Sequence, residues 1–200
     1  MAWIAGDRVV LRSWEHDDVR VRWETDQTAD NTEIRLRDWH EPPRSLQQRE
    51  AEFEAQQAEP DASTVALIIE AEGRPVGDIN LFHIEQRNSN AAVGMSIWRA
   101  EDRGRGYGSD AMRALLAWAF RQMNLHRVEL SVDPANAQAI AVYRKAGFVE
   151  EGRRREAHYT DGAYTDDIMM GILRRDFEAQ AQSTPRASEA TPPAKRVATQ

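Results

Sequence analysis

The sequence predicts a folded domain of the α/β (α+β) class, built on a mixed and mostly antiparallel sheet with helices on both faces. Two observations lead to this class. Segments that alternate apolar and polar residues, as strands do, are interspersed with segments whose apolar residues recur at helical steps. Three strands follow one another in the middle of the chain, which predicts an antiparallel meander, and helices then alternate with strands, which places helices against the sheet.

Turn and capping residues delimit the elements in the first half of the chain. Ser45, followed three residues later by Gln48, is a capping-box pattern that starts a helix, and Pro60 ends it. The segment 72–74 joins two apolar runs as a hairpin. The predicted elements are a short strand over 8–12, helices over 16–26 and 45–57, and strands over 65–70, 75–82 and 91–98.

The second half begins with an amphipathic helix over 108–123, whose apolar residues recur every three or four positions. A further helix over about 136–145 ends at Gly147, because glycine readily adopts the left-handed conformation that closes a helix. The remaining predicted elements are strands over 128–132, 149–158 and 167–173, the last two flanking a turn at 160–162.

The last residues of the chain, Ala179 to Gln200, differ in composition from the rest. They consist largely of Ala, Gln, Ser, Thr and Pro, and Val197 is the only large aliphatic residue among them. Such a segment buries too little apolar surface to offset the entropy of ordering. We therefore expect one domain over residues 1–178 and a disordered tail over residues 179–200.

The composition excludes several classes of protein. Acidic residues outnumber basic ones by 33 to 26, for a net charge of −7, which argues against nucleic acid or an anionic membrane as partner. The longest apolar run, Ala114 to Phe120, is too short to cross a membrane. The chain has no cysteine, and its five histidines show no metal-ligand spacing, so no metal is expected. A cytoplasmic location is the expectation for such a chain.

A glycine-rich loop precedes the helix over 108–123. Glycines let backbone N–H groups turn toward a ligand, the helix N-terminus adds positive potential and two arginines add charge, which together suit a pyrophosphate. The alternative is that the loop only begins a helix and binds no ligand. The segment matches neither the dinucleotide-binding fingerprint nor the Walker A fingerprint. The loop consists of Arg103, Gly104, Arg105, Gly106, Tyr107 and Gly108.

A second feature lies in the helix over 136–145. Asn136 and Tyr143 are seven residues apart, which is close to two helical turns, so the two side chains share one helix face. Taken alone, an aromatic residue at this spacing is more typical of core packing than of catalysis.

The two segments together form the pattern Arg-x-x-Gly-x-Gly before a helix, then about 30 residues later Asn-x-x-Ala-x-x-x-Tyr-x-Lys-x-Gly-Phe. This pattern resembles the GNAT superfamily of acyl-CoA-dependent N-acyltransferases. The resemblance extends over residues 8–173, and the hairpin segment 161–166 is similar to the branch that acetylates ribosomal-protein N-termini and small amines. It implies a GNAT-like sheet in which two neighbouring strands splay apart.

The resemblance also implies where acetyl-CoA, the co-substrate, would bind. In the family the pantetheine arm bonds to the strand before the phosphate loop. The matching positions here are Met95, Ser96 and Ile97. The loop over 103–108 would hold the pyrophosphate, Asn136 would bond the pantetheine, and Tyr143 would lie beside the sulfur.

Tyr143 is expected to protonate the departing thiolate, since a phenol, with an ordinary pKa near 10, is reasonably matched to a thiol. The attacking nitrogen must be a neutral amine, so a base is needed. Some related N-terminal acetyltransferases carry Glu five residues before the Asn, where this chain has Ser131. Glu129, Asp78 and His83 are candidates for this base, and the sequence does not decide among them, so the base is left unassigned.

The sequence therefore predicts an acetyl-CoA-dependent N-acetyltransferase that acts on a primary amine of a protein N-terminus or a small molecule. With no cysteine to carry an acyl group, direct attack in a ternary complex is expected. The alternatives are another donor, such as succinyl-CoA, and a non-catalytic domain that senses acyl-CoA. Acceptor specificity is expected from residues 25–59 and 158–167, and a homodimer is left open. Trp23, Trp39 and Trp98 are candidates for lining an acceptor pocket, and core anchoring is the default interpretation of such residues.

Overall fold

The computed structural model describes residues 4–28, 44–160 and 162–183. Strands and helices alternate in these ranges as predicted, and the predicted fold class is confirmed. The strands are β1 (Ile4–Ala5), β2 (Val10–Ser13), β3 (Val65–Ala71), β4 (Arg74–Glu85), β5 (Asn90–Ile97), β6 (Arg127–Val132), β7 (Val149–Thr160) and β8 (Ala163–Leu173). The helices are α1 (His16–Asp26), α2 (Leu46–Ala58), α3 (Tyr107–Arg121), α4 (Ala137–Ala146) and α5 (Arg174–Ser183).

The described strands form one sheet in the order β1-β2-β3-β4-β5-β6-β8-β7. Neighbouring strands run antiparallel, apart from β5 and β6, which run parallel. The predicted meander is β3, β4 and β5. The sequence did not predict β1, because a strand of two residues is too short to show a periodic pattern.

The helix ends predicted from capping residues agree with those of the structure. The Ser45 hydroxyl accepts a hydrogen bond from the Gln48 backbone N–H at 3.2 Å, and the Gln48 side chain accepts one from the Ser45 N–H at 2.8 Å. This is the capping box predicted for α2. Gly147 adopts φ +103° directly after α4 and ends that helix, as expected.

Helices α3 and α4 cover one face of the sheet. Val128, Leu130 and Val132 of β6 are buried in the same cluster as Leu115 and Phe120 of α3. Because side chains of a strand alternate between faces, Glu129 and Ser131 of β6 point to the opposite face.

Helices α1 and α2 lie on that opposite face. Trp98, at the end of β5, is fully buried there; its Nε1 donates to the Asp78 carboxylate at 2.6 Å, and the Arg22 guanidinium of α1 lies 5.2 Å from its ring centre. Trp98 is therefore a core anchor on the α1 side of the sheet.

The end of the domain differs from the prediction. Helix α5 continues to Ser183, so the first five residues of the segment expected to be disordered are helical. The cause is a buried anchor followed by helix-forming residues: Phe177 packs 5.5 Å from Phe120 between ring centres, and the Gln180 side chain lies against Gly147. The rest of the predicted tail, 184–200, lies outside the described residues.

We expect two truncations to differ in thermal stability. Removing residues 184–200 should leave the melting temperature within about 1 °C, whereas removing 179–200 also deletes the last turns of α5 and should lower it by about 2–4 °C, or roughly 1 kcal/mol. Thermal melts of both truncated chains and the full chain test this. A larger drop from the shorter truncation would show that residues 184–200 contact the domain.

Candidate active site

A cleft opens in the sheet between the two parallel strands. Strands β5 and β6 are paired from Asn90 with Arg127 to Ala92 with Glu129, but β5 continues for five residues beyond this point and β6 for three. The strands diverge there and enclose a cavity of about 890 Å³. The predicted splayed strand pair is thus confirmed.

Ten of the eleven residues predicted to contact acetyl-CoA or its sulfur line this cavity. They are Met95, Ser96, Ile97, Arg103, Gly104, Gly106, Tyr107, Gly108, Asn136 and Tyr143. Arg105 is the exception, since it lines a neighbouring cavity of about 510 Å³ with Arg8 and Glu72. The distant segments converge because β5 leads directly into the loop over 103–108, and α4 follows β6.

The backbone of the loop requires glycine at two positions. Gly104 and Gly106 adopt φ +73° and +86°, in the left-handed region that favours glycine. Gly106 is the N-cap of α3 and offers no capping side chain. The first N–H groups of a helix have no partner within it and carry partial positive charge, so this end of the cleft suits a phosphate.

The two arginines of the loop have different roles from each other. Arg103 donates to the backbone carbonyls of Ile97 and Trp98 at 3.3 Å each, which fixes the loop to the end of β5. Arg105 points away from the cleft and donates to the Glu72 carboxylate at 2.7 Å. Arg105 therefore forms an ion pair with a carboxylate of the β3–β4 turn. The sequence analysis had expected the charges of both arginines to face the ligand.

An ion pair between Arg74 and the buried carboxylate of Asp102 holds the start of the loop in place. Asp102 is 1% exposed, and Arg74 donates to its carboxylate at 2.8 Å. These hydrogen bonds lower the pKa of Asp102 below its ordinary value, so the carboxylate stays charged. The loop is therefore attached to β4 as well as to β5.

Asn136 is both a cap and a cleft residue. Its Oδ1 accepts a hydrogen bond from the Ala139 backbone N–H at 3.0 Å, which makes Asn136 the N-cap of α4. The side chain lies exposed at the cleft wall. Because the oxygen caps the helix, the amide NH₂ is the group that this side chain can direct at a ligand.

Tyr143 is buried at the inner wall of the cleft. It is 7% exposed, and its ring meets that of Phe148 edge to face with centres 5.9 Å apart. Burial raises the pKa of the Tyr143 hydroxyl above its ordinary value. The side chain therefore remains a protonated phenol near neutral pH, which is the form that can donate a proton.

The three residues considered as bases lie elsewhere. None of Glu129, Asp78 and His83 lines the cleft. Glu129 accepts a hydrogen bond from the Arg127 guanidinium at 3.0 Å, and Asp78 accepts the Trp98 bond described above. His83 is exposed at a β4 irregularity and has φ +51°. None of the three is therefore placed to act as the base in this cleft.

Of the three tryptophans considered for an acceptor pocket, Trp23 and Trp98 do not line the cleft either. Trp98 is the core anchor described above, and Trp23 donates its Nε1 to the Arg44 carbonyl at 3.0 Å. Trp39 lies outside the described residues.

Several charged or titratable residues of the cleft were not named individually as site residues from the sequence. The helical spacing of Arg22 and Asp26 was visible, and these side chains form an ion pair at 3.2 Å. No sequence signal pairs β7 with β8 side chains at this site. These residues are Arg22, Asp26, Asp133, Lys145, His158 and Asp167, of which Asp26, His158 and Asp167 lie in the ranges 25–59 and 158–167 expected to set acceptor specificity.

The part of the chain that the structure describes contains no cluster of side chains suited to a metal ion. None of its helices is long and apolar enough to span a membrane.

A mostly antiparallel sheet that opens between two parallel strands, with a helix N-terminus at the opening, is the architecture of the acyl-CoA-dependent N-acyltransferases. A family model described as an acetyltransferase (GNAT) domain matches residues 8–149. The chain belongs to this GNAT family, and the resemblance found in the sequence is confirmed. Acetyl-CoA is the co-substrate of the family's acetyltransferases.

Individual relatives agree with this assignment. Spermidine N(1)-acetyltransferase of Escherichia coli (strain K12) is 27% identical over 172 residues, which cover 86% of this chain and 89% of that protein. YdaF of Bacillus subtilis (strain 168), provisionally named a ribosomal N-acetyltransferase, is 32% identical over 110 residues, 54% of this chain and 59% of YdaF. The match therefore spans about three fifths of YdaF.

Solved structures resemble the whole domain. The crystal structure of spermidine N-acetyltransferase from Vibrio cholerae in complex with CoA and spermine has a TM-score of 0.75 to this chain at 25% identity. The similarity covers 86% of this chain and 98% of that one.

Proposed function

We propose that the protein transfers the acetyl group of acetyl-CoA to a primary amine by direct attack in a ternary complex. The observation that carries this proposal is the cleft itself. One continuous cavity joins the glycine loop at the N-terminus of α3 to the buried phenol of Tyr143. A pyrophosphate site and a proton donor are the two groups that an acyl-CoA reaction needs at opposite ends of the pantetheine arm.

The donor would bind along the wall formed by β5 and the loop. Beyond Ala92, the backbone groups of β5 that would face a neighbouring strand border the cleft instead, so an extended pantetheine can pair with residues 95–97. We propose that the N–H groups of residues 104–108 bind the pyrophosphate and that the Asn136 amide donates to the pantetheine. Arg103 would hold the loop in place at the end of β5, and Arg105 would hold the outer side of the loop through its ion pair with Glu72.

The chemistry then follows from the protonation states of the site. A neutral amine attacks the thioester carbonyl, the carbon–sulfur bond breaks, and the thiolate takes a proton from the Tyr143 hydroxyl. Backbone N–H groups of β5 are suited to stabilise the oxyanion of the tetrahedral intermediate. The chain has no cysteine, so no thioester forms on the enzyme.

The acceptor would enter from the side of the sheet that carries α1 and the β7–β8 hairpin. Carboxylates of Asp26, Asp133 and Asp167 line the cleft there, and carboxylates suit an acceptor that arrives as an ammonium ion. The names of the relatives include both polyamine and ribosomal acetyltransferases. A small amine and a protein N-terminus are both consistent with this surface.

We expect an acceptor panel to identify the reaction. Release of CoA from acetyl-CoA is measured with spermidine, spermine and short peptides that carry a free N-terminus, and an N-terminally acetylated lysine-free peptide is the control. Turnover with at least one free amine and none with the blocked peptide is the expected result. Succinyl-CoA in the same assay tests the other donor. Tight acetyl-CoA binding without turnover on any amine would instead establish the non-catalytic sensor.

A further inference from the structure

We propose that His158, held in place by Asp167, is the general base that deprotonates the acceptor amine. This inference rests on the proposed function, because it assigns the proton acceptor that an attack by an amine requires. Neither residue was among the bases considered from the sequence, and both line the cleft that also contains Tyr143.

A bulge in β7 creates the pair. The β7–β8 register shifts between Arg154 and His158, and Glu156, within the bulge, has φ +51° and donates its N–H to the Asp166 carboxylate at 3.0 Å. His158 lies opposite Thr165, two residues from Asp167. The bulge thus directs the imidazole diagonally across the hairpin, where its Nε2 lies 2.9 Å from Asp167 Oδ2.

The surroundings of Asp167 determine which imidazole nitrogen is basic. Asp167 is 3% exposed and also accepts a hydrogen bond from the Arg154 guanidinium. A carboxylate can only accept, so the Nε2 of His158 carries the hydrogen. The tautomer assigned by this bond leaves the lone pair on Nδ1.

The pair lies on the acceptor side of the sheet. Ile168, the neighbour of Asp167, is buried in the same core cluster as residues of α3 and α4, so Asp167 points to the opposite face of the sheet, the face that carries α1. The His158 side chain is 41% exposed, which leaves the imidazole accessible from the cleft. It is therefore on the face from which an acceptor reaches the thioester.

The charged groups that face this pair come from several elements. Asp167 on β8 contacts the imidazole directly, and Arg154 on β7 contacts Asp167. The other charged side chains that line the same cleft are Asp102 and Arg103 at the glycine loop, Asp133 after β6, Lys145 on α4, and Arg22 and Asp26 on α1, of which the last two pair with each other.

The proton balance of the reaction is complete with His158 as the base and Tyr143 as the acid. The ammonium form of the acceptor gives one proton to Nδ1 of His158, and the neutral amine attacks the thioester. Tyr143 gives one proton to the departing sulfur, and the second proton lost by the nitrogen as the amide forms restores the phenol. Imidazolium then releases one proton to water, so the sum is ammonium plus thioester giving amide, thiol and one proton.

The test compares His158→Gln with the wild-type protein, using the best amine of the panel above. Glutamine keeps a donor for Asp167 but has no basic nitrogen. We expect kcat/KM at neutral pH to fall by about 10²-fold, within the range of general-base catalysis, while acetyl-CoA affinity stays within a few-fold. The deficit should shrink as the pH rises, because a larger fraction of the acceptor is then already neutral.

Matched variants separate this role from a structural one. His83→Gln replaces an exposed histidine outside the cleft and should leave kcat/KM unchanged. Asp167→Asn preserves the shape of the pair, but its amide can donate to Nε2 and place the hydrogen on Nδ1, so we expect a loss of similar size. If His158→Gln melts at a lower temperature than wild type, Asp167→Asn is the variant that tests the proton transfer.

A deficit that stays constant across pH, or full activity of both variants, would overturn the assignment of His158 and leave the acetyltransferase proposal intact. A wild-type protein that acetylates no amine would overturn both. A fall in kcat/KM that recovers at high pH in His158→Gln, with His83→Gln unaffected, supports the general base.

Discussion

Replacing Tyr143 by Phe is expected to lower kcat by roughly 10²–10⁴ and to leave acetyl-CoA affinity within a few-fold of the wild-type value. The substitution removes one hydroxyl and little volume, and the ring keeps its edge-to-face contact with Phe148. Because the thiolate forms only as the carbon–sulfur bond breaks, the lost proton donor affects the transition state more than the bound ground state. Single-turnover kinetics measure the chemical step, and calorimetry measures the affinity.

A packing variant provides the control for this prediction. Phe148→Leu loosens the surroundings of the Tyr143 ring but keeps the hydroxyl, so it should reduce the free energy of unfolding by about 1–2 kcal/mol with a much smaller effect on kcat. Wild-type kcat in Tyr143→Phe under single-turnover conditions would assign the proton to water instead. Equal losses in both variants would mean that Tyr143 acts through packing.

Acetyl-CoA affinity is expected to fall more than about tenfold, or 1.4 kcal/mol, when Gly104 is replaced by Ala. The proposed pyrophosphate lies against the backbone of this loop, where a methyl group would occupy the space of the ligand. No protein atom of the described residues lies within 4 Å of a Cβ at Gly104, so the fold itself has room for the methyl group. Calorimetry with acetyl-CoA measures the change.

Gly73 is a close match for the control. It has φ +74°, against +73° at Gly104, and a Cβ there also meets nothing within 4 Å among the described residues, but it lies in the β3–β4 turn and does not line the cleft. Both alanine variants therefore carry the same backbone strain of about 1 kcal/mol. Equal acetyl-CoA affinity in the two variants would contradict the proposed phosphate loop.

A valine at Gly106 tests the same loop less cleanly. Among the described residues, the nearest atom to its Cβ would be Arg8 Nη1 at 3.7 Å, so the Cβ itself meets no clash, but Gly106 is the N-cap of α3 at φ +86°. Any loss of binding in Gly106→Val would combine contact with the ligand and strain at the helix start. The Gly104 and Gly73 pair separates these effects.

Features that depend on a few neighbouring residues could be predicted from the sequence. The capping box of Ser45 and Gln48, the stop at Gly147 and the shared face of Asn136 and Tyr143 each follow from helix geometry over one or two turns. The glycine loop was also visible, because its glycines and the helix after it are contiguous. The family pattern depends on these local features, which is why the class of protein was correctly predicted.

Features that depend on which strands become neighbours were decided only by the tertiary structure. The sequence did not show that Arg105 turns outward to Glu72, because that contact joins residues 33 positions apart across the sheet. Nor did it show the pair of His158 and Asp167, since a one-residue change in register reverses the face of a strand side chain, and the β7 bulge leaves no periodic signal. By itself the sequence determined the elements and the family; sheet order and register, which depend on burial summed over the whole core, decided which charged side chains face the cleft.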